Sequence, residues 1–281
     1  KSIMLFAAFH LVGGAIVLVS LYSLALRRLV RRMFKPRGER VVGADEKYDF
    51  GWGPEWMNGL AVGALVAVSA AIAIQVAAPD WWPLAFLVLL LGAAFFAGNS
   101  IMRSFQSMDR VVLPMVDLLR SDQDVVLDAG CGAGRTTVAL SRVLRNGRVV
   151  AVDRFDADYI DNGGRDLLER NLRAADLTGR VRIEAADLTT LPFDPECFDS
   201  AVSTHVYDHL GKYKAQALRE VFRVLKPGSR FLMAVWVPGW EMFAVANVLS
   251  FFLTSKGGWR SMARRAGFEI VDEGAFNYAW F

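Results

Sequence analysis

Val125-Val126-Leu127-Asp128-Ala129-Gly130-Cys131-Gly132-Ala133-Gly134-Arg135 decides the fold of this chain. Its opening apolar residues read as a short buried strand, and an acid follows. A Gly-x-Gly-x-Gly turn then leads into Arg135-Thr136-Thr137-Val138-Ala139-Leu140, which is in helical register. A turn this tight needs residues that tolerate positive φ and leave bare backbone for a ligand. Free N–H groups at the start of the helix are expected to face whatever binds there. The stretch therefore reads as a strand–loop–helix ligand site.

The glycine spacing narrows the ligand. A dinucleotide site shows G-x-G-x-x-G, with its third glycine later and an acid about 20 residues on. Here the glycines are compressed and Asp128 precedes the first of them, which disfavours a nicotinamide dehydrogenase. The next apolar run, Arg148 to Val152, ends in Asp153, where a ribose diol could be gripped by two hydroxyl-to-carboxylate bonds. Val181 to Ala185 then leads to Ala186-Asp187-Leu188. Acids at three successive strand ends are a far rarer pattern than one loop.

These residues, with Phe198-Asp199-Ser200-Ala201-Val202 and the run from Arg219 to Ser229, resemble the class I S-adenosylmethionine-dependent methyltransferases over about Met108 to Phe281. The resemblance implies S-adenosylmethionine as cofactor. It puts Asp128 and the loop of Gly130, Cys131, Gly132 and Gly134 at the methionine half, and Asp153 at the ribose. It puts Asp187 near the adenine amino group with Leu188 on the ring face; Arg154 and Thr204 complete the cofactor-side set. The fourth strand runs into Ser203-Thr204-His205-Val206-Tyr207-Asp208-His209, where the family presents substrate-facing groups. His205, Tyr207, Asp208 and His209 are the catalytic candidates. The family does not generally need a metal, and none is assigned.

Strand and helix patterns alternate through this half. Strands are expected at 125–128, 148–152, 181–185, 198–203 and 230–236, and helices at 136–144, 164–175 and 212–225. Parallel strands need crossovers, and helices supply them. The expected fold is α/β, a Rossmann-like doubly wound sheet with ligands at the strand C-termini. Phe268–Asp272 and Ala275–Trp280 read as an antiparallel hairpin at its edge.

The other half of the chain is of a different kind. The chain has 281 residues, is 54% hydrophobic and has a mean hydropathy of +0.29, high for a soluble enzyme. Residues 1–103 read as a membrane domain with three transmembrane helices, at about 3–26, 58–78 and 84–102, and residues 104–281 as the methyltransferase domain. At 1.5 Å per residue the first stretch is about 36 Å long, enough to span a bilayer. Arg27, Arg28, Arg31, Arg32, Lys35, Arg37 and Arg40 follow it. That cluster puts this end and the enzyme domain in the cytoplasm and the N-terminus outside; the expected location is a prokaryotic plasma membrane.

Val41 to Met57, with Tyr48, Phe50, Trp52 and Trp56, reads as an interfacial segment. Gly59, Gly63, Ala67 and Ala71 recur every four residues and give the second span a small face. Such a face allows close helix approach and homo-oligomers. Cys131 and Cys197 have neither metal-site nor redox-pair spacing. The apolar run from Glu241 to Thr254 reads as a lid or membrane-contacting helix, with Lys256 and Arg260 after it for phosphates.

The expected function is a membrane-integrated methyltransferase acting on a hydrophobic small molecule or lipid, with membrane lipids as partners and no nucleic acid. Two alternatives stand beside it. One is a membrane-tethered methyltransferase with a soluble small molecule or protein as acceptor. The other is a catalytically silent S-adenosylmethionine-binding sensor.

Overall fold

The computed structural model describes residues 48–50, 54–106, 118–157, 161–239, 242, 247–276 and 279–281. The first expected span, the basic stretch behind it, residues 107–117 and most of 240–249 lie outside the described residues. The chain divides into two units.

In the first unit, α1 (Pro54–Ala77) and α2 (Trp82–Gln106) are joined by a short 3-10 turn, Pro79–Trp81. Ala64, Ala67 and Ala71 of α1 are buried. A Cβ added at Gly92 of α2 would meet Val68 Cγ2 at 3.0 Å and Ala67 Cβ at 3.3 Å, so the two backbones pass very close. Part of the small face is thus covered within the chain: Ala67 and Ala71 are buried and Gly63 faces the Phe95 ring of α2, while Gly59 stays exposed. Val62, Leu65, Val66, Ile72, Val76 and Leu87 are exposed. By length and composition, Gly59–Ala77 and Pro79–Phe96 are long and apolar enough to cross a membrane.

The second unit is built on a five-stranded parallel sheet in the order β3-β2-β1-β4-β5. The strands are β1 (Val125–Ala129), β2 (Arg148–Asp153), β3 (Val181–Ala185), β4 (Phe198–Thr204) and β5 (Leu225–Ala234). Helices α3 (Arg135–Val143), α4 (Arg165–Ala175), α5 (Lys214–Val224) and α6 (Lys256–Ala266) flank it. Successive strand residues point to opposite faces, and both faces are buried, as parallel sheets require. Leu127, Ala129, Val150, Val152 and Ala201 pack with Tyr207, Leu218, Val221 and Trp259 on one side. Val126, Val149, Ala151 and Val202 pack with Leu140, Leu144, Leu168 and Leu172 on the other.

The expected element positions need three corrections. The helix expected from 212 starts at Lys214, because Tyr207–Tyr213 form a 3-10 turn broken at Gly211, whose φ is +52°. The fifth strand begins at Leu225, opposite Phe198, and its register shifts before Ser200 meets Arg230. The shift accommodates Gly228 at φ +70°. Phe268–Asp272 is no strand. Gly267 ends α6 at φ +107°, Phe268 N–H donates to Ala263 C=O, and the Phe268 ring packs on Phe222 and Phe231. The ladder lies instead between β6 (Ala275–Phe276) and β7 (Ala279–Trp280). Trp280 then exchanges two backbone bonds with Val235, just past β5, at 2.8 and 2.9 Å.

The strand N-termini form a separate rim. The Asp199 carboxylate accepts the Val125 N–H at 2.9 Å and pairs with Lys226 at 2.5 Å. Arg120 donates to Gly228 C=O, and its N–H caps on the Asp124 carboxylate at 2.8 Å. The beginnings of β1, β4 and β5 are thereby laced together.

Trp259 is fully buried against Tyr207. Trp259→Ala should lower the unfolding free energy by about 3–5 kcal/mol, measured by urea titration of the full chain.

Candidate functional site

The tips of β1, β2 and β4 converge on the glycine loop. Gly130 and Gly134 stand at φ +84° and +88°, and a Cβ at either would collide with Val206 or Leu168. Only glycine fits there. Four amides of the loop itself are already taken. Gly130 and Cys131 N–H both donate to Val152 C=O, at 2.7 and 3.0 Å. Gly132 N–H donates to Asp153 Oδ2 at 2.9 Å, and Gly134 N–H to Cys131 C=O at 2.8 Å. A loop wedged between two strands must satisfy its own amides, so these four brace it, three of them on β2.

The acids have distinct roles. Asp128 is fully buried; its Oδ2 accepts the Thr137 hydroxyl at 2.6 Å, and its Oδ1 has no partner. Burial pushes its pKa up to about 7, against the Thr137 bond, and the nearby Asp153 charge adds to the rise. Asp153 also lies high because of burial. Its oxygens accept Gly132 and Phe155 N–H, both at 2.9 Å. A carboxylate has about four acceptor positions, so capacity for two hydroxyls is left. Asp187 is held low by the Thr189 N–H and O–H, each at 2.7 Å.

Arg154 reaches Asp187 at 3.4 Å and Asp156 at 3.2 Å. Both partners of this cofactor-side pair are therefore engaged with each other. Leu188 is only 4% exposed and packs into the core beneath. Thr204, at the tip of β4, shares a hydrogen bond with Thr136 at 2.8 Å. Cys131 is buried in the loop.

Of the catalytic candidates, Tyr207 is a core residue. It is fully buried between Phe231 and Trp259, its hydroxyl reaches Ala217 C=O, and burial drives its pKa far up. The 3-10 turn after β4 points it inward, which a spacing argument could not foresee. Asp208 binds the Trp236 N–H with both oxygens, at 3.1 and 3.0 Å, and burial raises its pKa to about 7. It ties the turn after β4 to the end of β5. His205 takes φ +58° and tilts against Trp236, ring centroids 5.3 Å apart. His205 Nδ1 and Trp236 Nε1 are both buried without a partner. Burial, then Arg135 and His209, push the His205 pKa down to about 4. His209 meets the same indole edge-on and is exposed.

Several site residues escape the sequence reading. The sequence places Thr136 and Thr137 only in helical register, whereas Trp236 stands at the end of the expected fifth strand, near His205. Ser203 donates to Ala129 C=O at 2.6 Å and locks β4 to β1. Asn171 is buried beside the loop. A signal for Asn171 does exist, since it shares the apolar face of α4 with Leu167, Leu168 and Leu172.

The residues present fit a ligand with one cationic group and a vicinal diol. The buried, unpartnered Asp128 Oδ1 suits an ammonium, and Asp153 suits hydroxyls. A family model described as a methyltransferase domain matches residues 127–233. The ubiquinone/menaquinone biosynthesis C-methyltransferase UbiE of Vibrio vulnificus is 36% identical over 109 residues, 38% of this chain and 39% of its own length. The O-methyltransferase cnsE of Penicillium expansum is 28% identical over 156 residues, 52% of each chain. The chain thus spans about half or less of these relatives. The S-adenosylmethionine-dependent methyltransferase SibL, in its apo form, superposes with a TM-score of 0.50 at 23% identity, over 66% of this chain and 56% of that one, a likeness of fold. The matches imply S-adenosylmethionine as cofactor.

The raised pKa of Asp128 has a stability consequence. Its folded value, about 7, exceeds its ordinary 3.8, so the unfolded chain ionises first. The contribution is present below pH about 4 and is lost as pH rises towards about 7. In ligand-free protein, Asp128→Asn should raise the unfolding free energy more at pH 8 than at pH 4. The difference should be up to about 4 kcal/mol at 1.36 kcal/mol per pKa unit, read from urea titrations at both pH values.

Proposed function

We propose that this chain, whose residues 127–233 are a methyltransferase domain, moves a methyl group from S-adenosylmethionine to a lipophilic small molecule or lipid at a membrane surface. The observation that carries the cofactor half is the buried Asp128 Oδ1 without a partner. Asp128 would hold the ammonium, and Asp153 the ribose hydroxyls. Asp187 would serve the adenine side if it exchanged Arg154 for the ligand.

Bound S-adenosylmethionine supplies an activated methyl group, so the protein's task is chiefly alignment and exclusion of water. Trp236 Nε1 can only donate, whereas a neutral His205 can accept a hydrogen bond. A hydroxyl between them would satisfy both. His205, with a pKa of about 4, stays neutral and orients such a nucleophile without storing its proton. Proton departure is then late, after methyl transfer has begun. Asp208 acts as a positioning group for Trp236, and His209 lines the same wall.

Three observations support a lipophilic acceptor. The first is the pair α1 and α2, whose outward faces are apolar. The second is Phe251 and Phe252, 72% and 84% exposed, just ahead of α6 with its exposed Lys256, Arg264 and Arg265. Exposed aromatics beside basic residues suit an anionic lipid surface. The third is that one relative is named for ubiquinone and menaquinone biosynthesis, and those quinones are lipophilic. On this reading the protein is an integral membrane protein with its enzyme domain on the cytosolic side, where the cofactor is made.

Two experiments test the reading. Full-length protein is incubated with methyl-labelled cofactor and either a lipid extract or a soluble extract. Label should enter the lipid fraction and fall more than about 100-fold in Asp153→Ala. Label confined to the soluble fraction would replace the lipid acceptor with a soluble one, and cofactor binding without label anywhere would make the protein a sensor. The second is calorimetry with S-adenosylhomocysteine. A cationic ligand favours ionised Asp128, so affinity should rise about 10- to 30-fold between about pH 5.5 and about pH 8. Asp128→Asn should flatten that dependence.

A further inference from the structure

Residues 48–50 are remote from the glycine loop in sequence and adjacent to it in space. They are joined to it by Asn171, which is 1% exposed. Asn171 Oδ1 accepts the Asp49 N–H at 2.9 Å, and its Nδ2 donates to Asp49 C=O at 2.8 Å. The second Nδ2 hydrogen goes to Ala133 C=O, also at 2.8 Å. One amide thus grips the backbone of the arm with a donor and an acceptor and spends its remaining donor on the loop. Both donors of a primary amide are used, none on its own helix.

The arm has further holds on the same surface. Tyr48 and Phe50 stack at 5.7 Å, Arg135 lies over Phe50 at 5.4 Å, and Arg142 lies over Tyr48 at 5.9 Å. Arg170 pairs with the Asp49 carboxylate at 3.5 Å. Arg135 and Arg142 both belong to α3, the helix that the loop starts. This places residues 48–50 on the enzyme domain.

Ala133 lies between two fixed points. Gly132 N–H is held by Asp153, and Gly134 is held at positive φ against Leu168. Asn171 supplies the remaining anchor in that part of the loop. Arm, loop and Asp153 therefore form one hydrogen-bonded unit, in which a buried donor left unpaired is costly.

We propose that Asn171 is a positioning residue that couples docking of the 48–50 arm to the shape of the glycine loop, so that arm docking and cofactor binding strengthen each other. The inference rests on the cofactor reading of the loop given above. Coupling of this kind is reciprocal. A docked arm tightens cofactor binding, and bound cofactor holds the arm down. A merely structural Asn171 would stabilise the fold without either effect.

The test uses the full chain in detergent, with S-adenosylhomocysteine as the probe. Affinity is measured by calorimetry, and arm docking by hydrogen exchange at the Asp49 amide. The expected result is about 10-fold slower Asp49 exchange in the presence of ligand. Phe50→Ala leaves every bond of Asn171 in place and should weaken binding about 10-fold with little change in the unfolding midpoint. Asn171→Leu should weaken binding and speed Asp49 exchange together. Asn171→Asp, which sets a buried carboxylate oxygen against the Asp49 and Ala133 carbonyls, should weaken binding and speed Asp49 exchange at least as much. Phe50→Ala that binds as tightly as wild type, or Asp49 exchange indifferent to ligand, overturns the coupling alone. Wild-type protein that does not bind the probe overturns the cofactor reading and the coupling with it.

Discussion

The end of β2 holds the glycine loop, and the character of the site follows from that hold. Val152 C=O and the Asp153 carboxylate between them take the N–H groups of Gly130, Cys131 and Gly132. Loops that cradle phosphate do the reverse and point their amides outward at the anion. Here the amides are spent inward and carboxylates are left at the strand tips. A diphosphate would meet unfavourable charge, whereas an ammonium and a diol meet acceptors. The same brace gives Asp153 a part in the fold, since its carboxylate holds the Gly132 N–H.

The site keeps polar groups under tension on both sides. Asp128 is buried with one oxygen unpartnered, and Asp153 beside it makes ionisation harder still. Across the tips, His205 sits at positive φ with an unpartnered Nδ1 against an unpartnered indole N–H. Each arrangement costs stability in the ligand-free protein. Such costs cluster where a ligand relieves them. Asp128 lies on β1 and His205 directly follows β4, its neighbour in the sheet, while their companions Asp153 and Trp236 stand at the ends of β2 and β5.

Much of this was legible beforehand, for identifiable reasons. The run from Val125 to Gly134 announces strand and loop through apolar continuity and glycine spacing, and each strand that ends in an acid repeats the signal. Local pattern fails where tertiary partners decide. Tyr207 looked like a site residue because it follows a strand tip, yet a 3-10 turn rotates it into the core. Phe268 to Asp272 has strand composition, but the Phe268 ring packs on Phe222 and Phe231 and the run joins no ladder. The loop amides looked available because sequence cannot show the carbonyl of Val152 opposite them. Asp49 and Asn171 are 122 positions apart, and no local signal joins them.

The rim at the other end of the sheet divides the labour of the domain. Asp199, Lys226, Arg120 and Asp124 lace the strand beginnings together there, while the reactive groups gather where the strands finish. A strand of five residues separates the two ends by about 17 Å, beyond the range at which substitutions usually interfere with one another. Durability and selectivity can therefore be adjusted separately in this protein. Hardening against heat belongs to one end of the strands, and retuning for a new acceptor belongs to the other.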